Sequence, residues 1–381
     1  MTDAFDRRQG HDPVTLRRHF GTTDVLPLWI AEPELNPPPV VVDALRARAD
    51  EAWYGYEIRP ESVVGSFWRW CGDRHDWHGT GLSTRVSPSV GTSIGSVIEL
   101  TTEPGDGVIL QPPVFTDFKP LVESAGRTVV RNPLVFDDGG YRLDLDHLAT
   151  LAADPANRLL VLCNPHNPVG RVWTADELDA VARVCAEHDV FVLADEIHAD
   201  LALAPHRFTP FATAAHRTGV NRWAATHGPI KTFALAGVCD TLLITGDATL
   251  AERFDGLSSR LHLTRNNVFA IAAFETAYDR GGPWLDDLLD LVARNVSVLR
   301  DGLPDRIRLV EPDGTYLAWM DLRALGLDVP EIPRWLADRA GVALSPGHWF
   351  GREGAGFARM TVAAPTAAIE HAVERLTHAA D

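Results

Sequence analysis

The chain has 381 residues, of which 45% are hydrophobic and 23% are charged, a composition that excludes a disordered or fibrous protein. With 52 acidic against 35 basic residues, its net charge is −17, which argues against nucleic acid or an anionic membrane as the main partner. The length predicts two domains, or one large α/β unit with an appendage.

The first third of the chain predicts two helices and one short strand. The proline-rich segment Asn36–Pro39 leads into a helix. The small-residue turn Ser87–Ser93 opens a second helix, because serine and threonine hydroxyls accept hydrogen bonds from the first N–H groups of a helix. Val108–Leu110 is a short apolar run that indicates a buried strand.

The middle of the chain predicts a strand–helix–strand unit. Arg158–Cys163 reads RLLVLC and indicates a buried strand, and Val190–Ala194 indicates a second one. Between them Thr174 and Glu177 form a capping box, which opens a helix that reaches about His188. A crossover of this kind joins parallel strands, so we expect a mostly parallel central sheet with helices on both faces.

The two ends of the chain have a different pattern. From about Trp284 a long helical pattern leads into mixed strand and helix. We therefore expect an α/β fold in which residues 46–283 form the large domain. Residues 1–45 and 284–381 together are expected to form a smaller α+β domain.

Polar and aromatic side chains gather where the predicted strands end, the edge at which open α/β sheets bind ligands. They are the turn Ser87–Ser93, Phe115, Asn164, Asn167, Asp195, His198 and Lys231. Lys231 is one of two lysines beside 33 arginines, and arginine does not supply a deprotonated amine. Each of these features also has a purely structural explanation. The turn could be an ordinary helix cap, Phe115 could be a core residue, and NPHNP could be a simple turn motif. Asp195 is harder to explain as structure, since an unpaired buried carboxylate is unfavourable.

Other features of the sequence narrow the class of protein. Four cysteines, Cys71, Cys163, Cys185 and Cys239, are scattered without CxxC spacing, so we expect neither a metal site nor a disulfide framework. The first residues contain no apolar stretch typical of a signal peptide, and no window is long and apolar enough for a membrane span. We therefore expect a cytoplasmic protein without membrane or nucleic-acid partners.

Together these residues resemble the pyridoxal 5′-phosphate (PLP)-dependent enzymes of the fold-type I aminotransferase superfamily. Within it, the chain is most similar to the cystathionine β-lyase-like branch of carbon–sulfur lyases. The segments that carry the resemblance are LPLWIAEPEL, YGYE, LLVLCNPHNPVGRVWT, VLADEIHADL, KTFALAG, GTYLAWMDLR and FARMTVAAP, which span roughly residues 8–375. The resemblance implies the PLP-dependent transferase fold type I and PLP as cofactor.

The resemblance implies a role for each residue at the strand ends. Lys231 binds the cofactor aldehyde covalently and, once displaced by the substrate amine, takes the proton from the substrate Cα. Asp195 pairs with the pyridine nitrogen and keeps it protonated, so that the ring accepts electrons. Asn167 hydrogen-bonds the ring hydroxyl, and His198, at a position where many relatives carry tyrosine, serves the same oxygen.

Further implied roles concern the cofactor ring, its phosphate and the substrate. Phe115 stacks on the ring, although tyrosine is commoner there, and the backbone amides of Val90 and Gly91 receive the phosphate at a helix N-terminus. Tyr56 resembles the residue that crosses to the phosphate of the partner subunit, which implies a homodimer with shared active sites. Arg359 clamps the substrate α-carboxylate in a bidentate pair of hydrogen bonds.

The chain departs from the family pattern at several places. Gly228–Ile230 stand where relatives usually carry serine or threonine before the lysine, and Cys239 stands where many aminotransferases carry arginine. These changes leave phosphate binding to backbone amides and Tyr56, so we expect a lower affinity for the cofactor. AEPEL replaces the usual acidic segment after LPLW, and Thr361 replaces an asparagine. Both lie on the expected substrate side, so these changes bear on the choice of substrate and not on the cofactor.

The function implied by the resemblance is a C–S β-lyase that cleaves a cysteine S-conjugate or a cystathionine-like thioether to thiol, pyruvate and ammonia. Two alternatives use the same residues: an aminotransferase, and a decarboxylation-coupled oxidative deaminase of an S-cysteinyl conjugate in specialised, lincosamide-like antibiotic metabolism. A third is a non-enzymatic regulator, because some aminotransferase-like domains are fused to DNA-binding modules. No basic helix-turn-helix segment precedes residue 46, which disfavours this alternative.

Overall fold

The computed structural model describes residues 13–137, 140–263 and 267–381. Its strands are β1 (Leu26–Pro27), β2 (Ser83–Ser87), β3 (Gly107–Leu110), β4 (Thr128–Arg131), β5 (Val135–Asp137), β6 (Gly140–Arg142), β7 (Asn157–Cys163), β8 (Phe191–Asp195), β9 (Trp223–His227), β10 (Thr241–Thr245), β11 (Arg308–Val310), β12 (Leu317–Asp321), β13 (Val342–Ala343), β14 (Ser345–Pro346) and β15 (Phe357–Thr361). Its helices are α1 (Pro13–Phe20), α2 (Pro39–Asp50), α3 (Glu61–His75), α4 (Val90–Thr101), α5 (Phe118–Ser124), α6 (Leu145–Ala152), α7 (Ala175–Glu187), α8 (Phe211–Thr218), α9 (Pro229–Thr232), α10 (Ala248–Arg260), α11 (Val268–Arg280), α12 (Gly282–Gly302), α13 (Ile332–Arg334) and α14 (Thr366–Ala380).

A seven-stranded sheet in the order β2–β10–β9–β8–β7–β3–β4 forms the centre of the chain. β10 is antiparallel to both of its neighbours, and all pairings from β9 through β8, β7 and β3 to β4 are parallel. The prediction of a mostly parallel sheet is therefore confirmed. The predicted strands lie within one residue of β3, β7 and β8. β8 extends to Asp195 because that residue still pairs with Thr226 of β9.

Side chains of the central strands alternate between two apolar layers. In β7, Leu160 and Leu162 belong to one cluster of buried residues, whereas Leu159 and Val161 belong to the other. Helices α3, α7, α8 and α11 contribute to the first cluster, and α4, α5 and α10 contribute to the second. Because successive strand residues face opposite sides of a sheet, helices cover both faces, as the sequence predicts.

The predicted capping box opens α7. The Thr174 hydroxyl accepts a hydrogen bond from the Glu177 N–H at 3.3 Å, and the Glu177 carboxylate accepts one from the Thr174 N–H at 2.8 Å. The helix ends at Glu187, one residue before the predicted end, and its cap is His188. This crossover brings the chain from β7 to β8 and so places the ends of these two strands side by side.

The C-terminal part of the chain contains an antiparallel sheet in the order β11–β12–β15–β14. The short strand β1 pairs in parallel with β13, so the N-terminal segment joins this part of the chain. That pairing agrees with a smaller α+β domain built from both ends. The division itself stays a prediction, since residue 46 lies within α2 and residue 283 within α12.

Three properties of the described residues bear on the class of protein. All four cysteines are buried free thiols. Within residues 13–137, 140–263 and 267–381, no group of three or more metal-ligating side chains is found. Over the same ranges, no helix combines the length and the apolar character needed to cross a bilayer.

Candidate functional site

A cavity of about 290 Å³ opens at the edge of the central sheet where the parallel strands end. Seven of the predicted site residues line it: Val90, Gly91, Phe115, Asn167, Asp195, His198 and Lys231. They come together because parallel strands point their carboxyl ends at the same edge. Arg359 reaches this group through Asn167, and Tyr56 is not among the lining residues.

Asp195 is the last residue of β8 and is buried. Its Oδ1 accepts hydrogen bonds from the Thr226 hydroxyl at 2.8 Å and from the Ile197 N–H at 3.3 Å. Burial raises the pKa of the Asp195 carboxyl, and the two hydrogen bonds and the charge of Lys231 oppose this rise. A cationic group bound in the cavity would stabilise the carboxylate, as a protonated pyridine nitrogen does.

Lys231 lies in α9, the short helix that follows β9. Its Nζ donates a hydrogen bond to the Ala31 carbonyl at 2.8 Å. Burial lowers the pKa of Lys231. The negative charge of Glu32 opposes this shift, and the positive charge of Arg359 adds to it. A lowered pKa makes an amine a better nucleophile and base near neutral pH, so this lysine is suited to covalent and proton-transfer chemistry.

A buried carboxylate anchors the helix that carries Lys231. Asp200 accepts hydrogen bonds from the Thr232 hydroxyl, the Trp70 Nε1–H and the His75 Nε2–H, each at 2.8 Å. Burial alone would raise the pKa of Asp200, but these bonds hold it below its usual value. The residue after Lys231 is thereby tied to α3. Sequence reasoning did not identify Asp200, whose only signal was that it is the second aspartate of the DEIHADL segment.

Arg359, in the middle of β15, is buried beside the cavity. Its Nη1 donates to the Asn167 Oδ1 at 2.9 Å, and its Nη2 donates to the Trp29 carbonyl at 2.8 Å and to the Ser345 hydroxyl at 3.3 Å. Burial lowers the pKa of Arg359 to about 10, so the guanidinium remains charged at neutral pH. A fixed buried cation in this position is suited to binding a carboxylate.

The N-terminus of α4 forms another wall of the cavity. The Ser89 hydroxyl caps the helix by accepting a hydrogen bond from the Thr92 N–H at 3.1 Å. A Cβ added at Gly91 would meet only the Ser89 hydroxyl, at 3.8 Å, so there is open space beside the first turn. The free N–H groups and the positive end of the helix dipole favour an anion such as a phosphate.

His198 and Phe115 contribute rings to the cavity. His198 is 3% exposed, its Nδ1 has no hydrogen-bond partner, and burial lowers its pKa to about 3, so the ring is neutral. It packs edge-on against Tyr316, whose hydroxyl donates to the same Ala31 carbonyl that Lys231 contacts. Phe115 is half-buried and packs edge-on against Phe118.

Several lining residues were missed by sequence reasoning. They are Ile94, Asp117, Leu121, Cys163 and Ile197. Ser89 also lines the cavity, and it belongs to the turn Ser87–Ser93 that the sequence predicts for the site. The missed apolar residues had no such signal, since an apolar residue at a strand or helix end is indistinguishable in sequence from a core residue.

Tyr56 lies in an exposed segment. It is 84% exposed, and its neighbours Trp53, Tyr54 and Ile58 are 51%, 58% and 91% exposed. The chain therefore does not bring Tyr56 to its own cavity, and a role in cofactor binding requires a second copy of the chain.

The groups that line the cavity fit PLP. They supply an amine of lowered pKa, a buried carboxylate that favours a cationic partner, a helix N-terminus and an aromatic ring. His198 adds an unpartnered ring nitrogen for a polar substituent. Each group would suit one part of the cofactor: aldehyde, pyridine nitrogen, phosphate, ring face and ring hydroxyl.

Comparisons with known proteins agree with this fit. Residues 75–376 match the model of the family "Aminotransferase class I and II". Cystathionine β-lyase PatB of Bacillus subtilis (strain 168) is 36% identical over 361 residues, which cover 94% of this chain and 93% of PatB. Protein MalY of Escherichia coli (strain K12) is 29% identical over 94% of this chain and 93% of MalY. The crystal structure of cystalysin from Treponema denticola, which contains PLP, superposes with a TM-score of 0.93 at 28% identity and covers 100% of this chain and 98% of cystalysin.

The chain belongs to the aminotransferase class I and II family of PLP-dependent enzymes, with fold type I. Within that family it lies in the branch of cystathionine β-lyase-like carbon–sulfur lyases. The fold and the family predicted from the sequence are thus confirmed.

Proposed function

We propose that this protein is a PLP-dependent C–S β-lyase that cleaves a cysteine S-conjugate or a cystathionine-like thioether to thiol, pyruvate and ammonia. The observation that carries the PLP-dependent chemistry of the proposal is the arrangement of three groups. The Lys231 amine and the Asp195 carboxylate share one cavity, and the Arg359 guanidinium is hydrogen-bonded to Asn167, which lines the same cavity. Similarity to PatB and cystalysin supports the reaction class.

Cofactor and substrate are held by different groups of residues. Asp195, Asn167, His198, Phe115 and the amides at the start of α4 would hold PLP, which when bound supplies an electron sink for the chemistry at the substrate Cα. Arg359 would bind the α-carboxylate. Its guanidinium is held in place by hydrogen bonds to Asn167, Trp29 and Ser345, so it orients the substrate without first having to order itself.

Lys231 moves the protons of the reaction. Its amine, with a pKa lowered by burial, takes the proton from Cα. The electron pair of that bond then forms a double bond between Cα and Cβ, and the Cβ–S bond breaks with its pair leaving on sulfur. The thiolate takes up the proton held by Lys231. Water hydrolyses the released enamine, so one thioether and one water give one thiol, one pyruvate and one ammonia.

Dimer formation and the cellular compartment are further parts of the proposal. A homodimer with shared active sites would cover the exposed segment around Tyr56 and carry its hydroxyl to the phosphate of the partner's cofactor. The exposed aromatic side chains of Trp53 and Tyr54 support such an interface. We place the enzyme in the cytoplasm, acting on a small amino-acid thioether.

The test is a visible absorption spectrum followed by product analysis. Purified protein with PLP is expected to show the absorption band of a lysine-bound cofactor, and Lys231→Ala is expected to lose it. Lys119→Ala, a change at the only other lysine, is the matched control and should keep the band.

The products formed from L-cystathionine and S-methyl-L-cysteine distinguish the alternatives. Thiol, pyruvate and ammonia in equal amounts support the lyase. A keto acid with its thioether intact would identify an aminotransferase, and release of carbon dioxide would identify the oxidative deaminase of an antibiotic pathway. No absorption band with added PLP would overturn the proposal.

A further inference from the structure

A second cavity, of about 310 Å³, adjoins the cofactor cavity, since Phe115 lines both. One wall comes from the end of β3 and the loop after it, and a second wall comes from β4, with Val129. The third wall is the 3₁₀ turn Gly347–Phe350, which contributes Trp349. The two loops are joined by a hydrogen bond from the Val114 N–H to the Phe350 carbonyl at 3.0 Å.

The location of this cavity relates it to the substrate. Phe350 lines it, and the Arg359 guanidinium lies over the Phe350 ring at 4.7 Å from the ring centre. The cavity is therefore bounded by the aromatic ring that faces the cofactor and by the ring beneath the carboxylate-binding arginine. Since Phe115 lines both cavities and Arg359 contacts Phe350, a substrate with its carboxylate on Arg359 and its Cα at the cofactor would extend its Cβ substituent towards this cavity.

The size and the apolar lining of the cavity indicate the kind of group that it takes. With about 310 Å³ it is as large as the cavity of about 290 Å³ that fits the cofactor, so it has room for much more than a methyl group. Its wall includes the apolar side chains of Leu110, Val114, Val129, Trp349 and Phe350. Burial of an apolar or aromatic group there is favourable by about 25 cal/mol for each Å² removed from water.

Basic side chains surround the apolar part, although the chain as a whole carries a net charge of −17. Lys119, Arg131 and Arg352 line the cavity. Arg131 is hydrogen-bonded by two nitrogens to Glu353, so its charge is neutralised. Lys119 pairs with Glu123 at 2.9 Å, but the two side chains are 61% and 50% exposed, and such pairs are weak. Arg352 also pairs with Glu353, at 3.4 Å, but its side chain is 81% exposed, so it and Lys119 are both able to turn towards an anion.

We propose that this second cavity binds the sulfur substituent of the substrate, and that the preferred leaving thiol has an apolar, aromatic-sized body and an anionic end. The inference rests on the proposed lyase function and names its substrate class. The body lies against Trp349 and Val129, and the anionic end meets Lys119 and Arg352. A thiol of this kind would account for a cavity that a small leaving group does not fill.

The test compares three substrates with the PLP-loaded enzyme: S-methyl-, S-benzyl- and S-(4-carboxybenzyl)-L-cysteine. The value of kcat/KM for pyruvate formation is expected to rise about tenfold or more from methyl to benzyl, as is typical when a pocket gains apolar contacts. A further rise in kcat/KM of about threefold is expected from the benzyl to the carboxybenzyl substrate, because an ion pair between exposed groups contributes little.

Two variants connect these preferences to the cavity. Val129→Phe fills it and is expected to reduce the benzyl-to-methyl ratio about tenfold. Val42→Phe, the same change in a separate surface groove, is the control and should preserve the ratio. The double variant Lys119→Ala, Arg352→Ala should remove only the preference for the carboxylate.

The outcomes separate the inference from the proposed function. Pyruvate from S-methyl-L-cysteine with equal kcat/KM for all three substrates would overturn the inference and leave the lyase intact. The same follows if Val129→Phe and Val42→Phe change the ratio equally. No pyruvate from any of the three substrates would overturn the lyase itself.

Discussion

The cofactor side and the substrate side of the site are built in different ways. On the cofactor side, Asn167 follows β7, Asp195 ends β8 and Lys231 follows β9, and these strands are neighbours in one sheet. On the substrate side, Arg359 is held by Trp29 and Ser345, which belong to segments far apart in the sequence. The first arrangement depends on the order of strands in the central sheet. The second depends on the C-terminal sheet, in which Ser345 of β14 pairs with Arg359 of β15, packing against the N-terminal segment that carries Trp29.

This difference explains which part of the site can change without loss of the other. Residues at the ends of paired strands are fixed by the register of the sheet, and each has a buried partner, such as Thr226 for Asp195. The substrate side includes the turn Gly347–Phe350, in which His348 and Trp349 are only half-buried, so we expect these two side chains to tolerate replacement without a change in the sheet. We therefore expect substitutions on the cofactor side to affect kcat, and those on the substrate side to affect KM and specificity.

The largest effect is expected for Asp195→Asn. Asparagine has the same size and can still accept the hydrogen bond from Thr226, but it carries no charge for the pyridine nitrogen. Loss of one such electrostatic contact lowers kcat by about 10²–10³-fold. Pyruvate formation at saturating cofactor and substrate measures it. Asp117→Asn, at the other carboxylate lining the cavity, is the control, and an equal loss there would contradict the role of Asp195.

A smaller effect, on KM, is expected for Arg359→Lys. Lysine keeps the positive charge but cannot form the bidentate pair of hydrogen bonds with a carboxylate. We expect KM to rise about 30- to 100-fold, with a smaller change in kcat, since a hydrogen bond to a charged group contributes about 1.5–3 kcal/mol. Steady-state kinetics measures both constants. Arg323→Lys, at an exposed pair with Asp321, is the control. A fall in kcat alone would place Arg359 on the cofactor side.

An effect of about tenfold, on the Kd of PLP, is expected for Tyr56→Phe, because the change removes one hydrogen bond to a phosphate. Titration of the cofactor-free protein measures it. Hybrid dimers of Tyr56→Phe and Lys231→Ala chains sharpen the test. In such a hybrid, one chain lacks the Tyr56 hydroxyl and the other lacks the Lys231 amine. If Tyr56 crosses to the partner, one of the two sites combines a native Lys231 with a native Tyr56. If it does not cross, each site lacks one of the two. A protein that is monomeric in solution would contradict a shared site.

The smallest effect concerns stability against acid in the cofactor-free protein. Burial lowers the pKa of His198 to about 3 and of His166 to about 4, below the value of about 6.5 in an unfolded chain. Between these values the unfolded state binds more protons than the folded state, so stability falls as the pH is lowered. Each histidine contributes a slope of up to about 1.4 kcal/mol per pH unit.

Urea unfolding at pH 7 and pH 5 measures this slope. His198→Gln is expected to reduce the loss of stability on acidification. His216→Gln, at an exposed histidine of α8, is the control. An unchanged slope in His198→Gln would show that His198 is not kept neutral by burial on the cofactor side.

The parts of the fold that follow local patterns could be predicted from the sequence. The apolar runs of β3, β7 and β8 and the capping box at Thr174 depend on near neighbours, and the structure places them within one residue. The cofactor side follows, because strand order then brings Asn167, Asp195 and Lys231 to one edge. The roles proposed for these residues await the experiments above.

Other parts depend on contacts between distant segments, which no local pattern encodes. Asp200 reads as an ordinary acidic residue, yet it accepts hydrogen bonds from Trp70, His75 and Thr232. The second cavity is of the same kind, since no local pattern indicates that Leu110, Val129 and Trp349 line one cavity.

The sequence by itself determined the family, the sheet and the residues at the strand ends, because periodicity, caps and strand-end motifs act over a few residues. The tertiary structure alone decided the position of Arg359 beside Asn167, the anchoring of α9 by Asp200 and the cavity between Phe115 and Phe350. These features require the N-terminal segment, the central sheet and the C-terminal sheet to pack together. The identity of the leaving thiol is therefore a property of that packing.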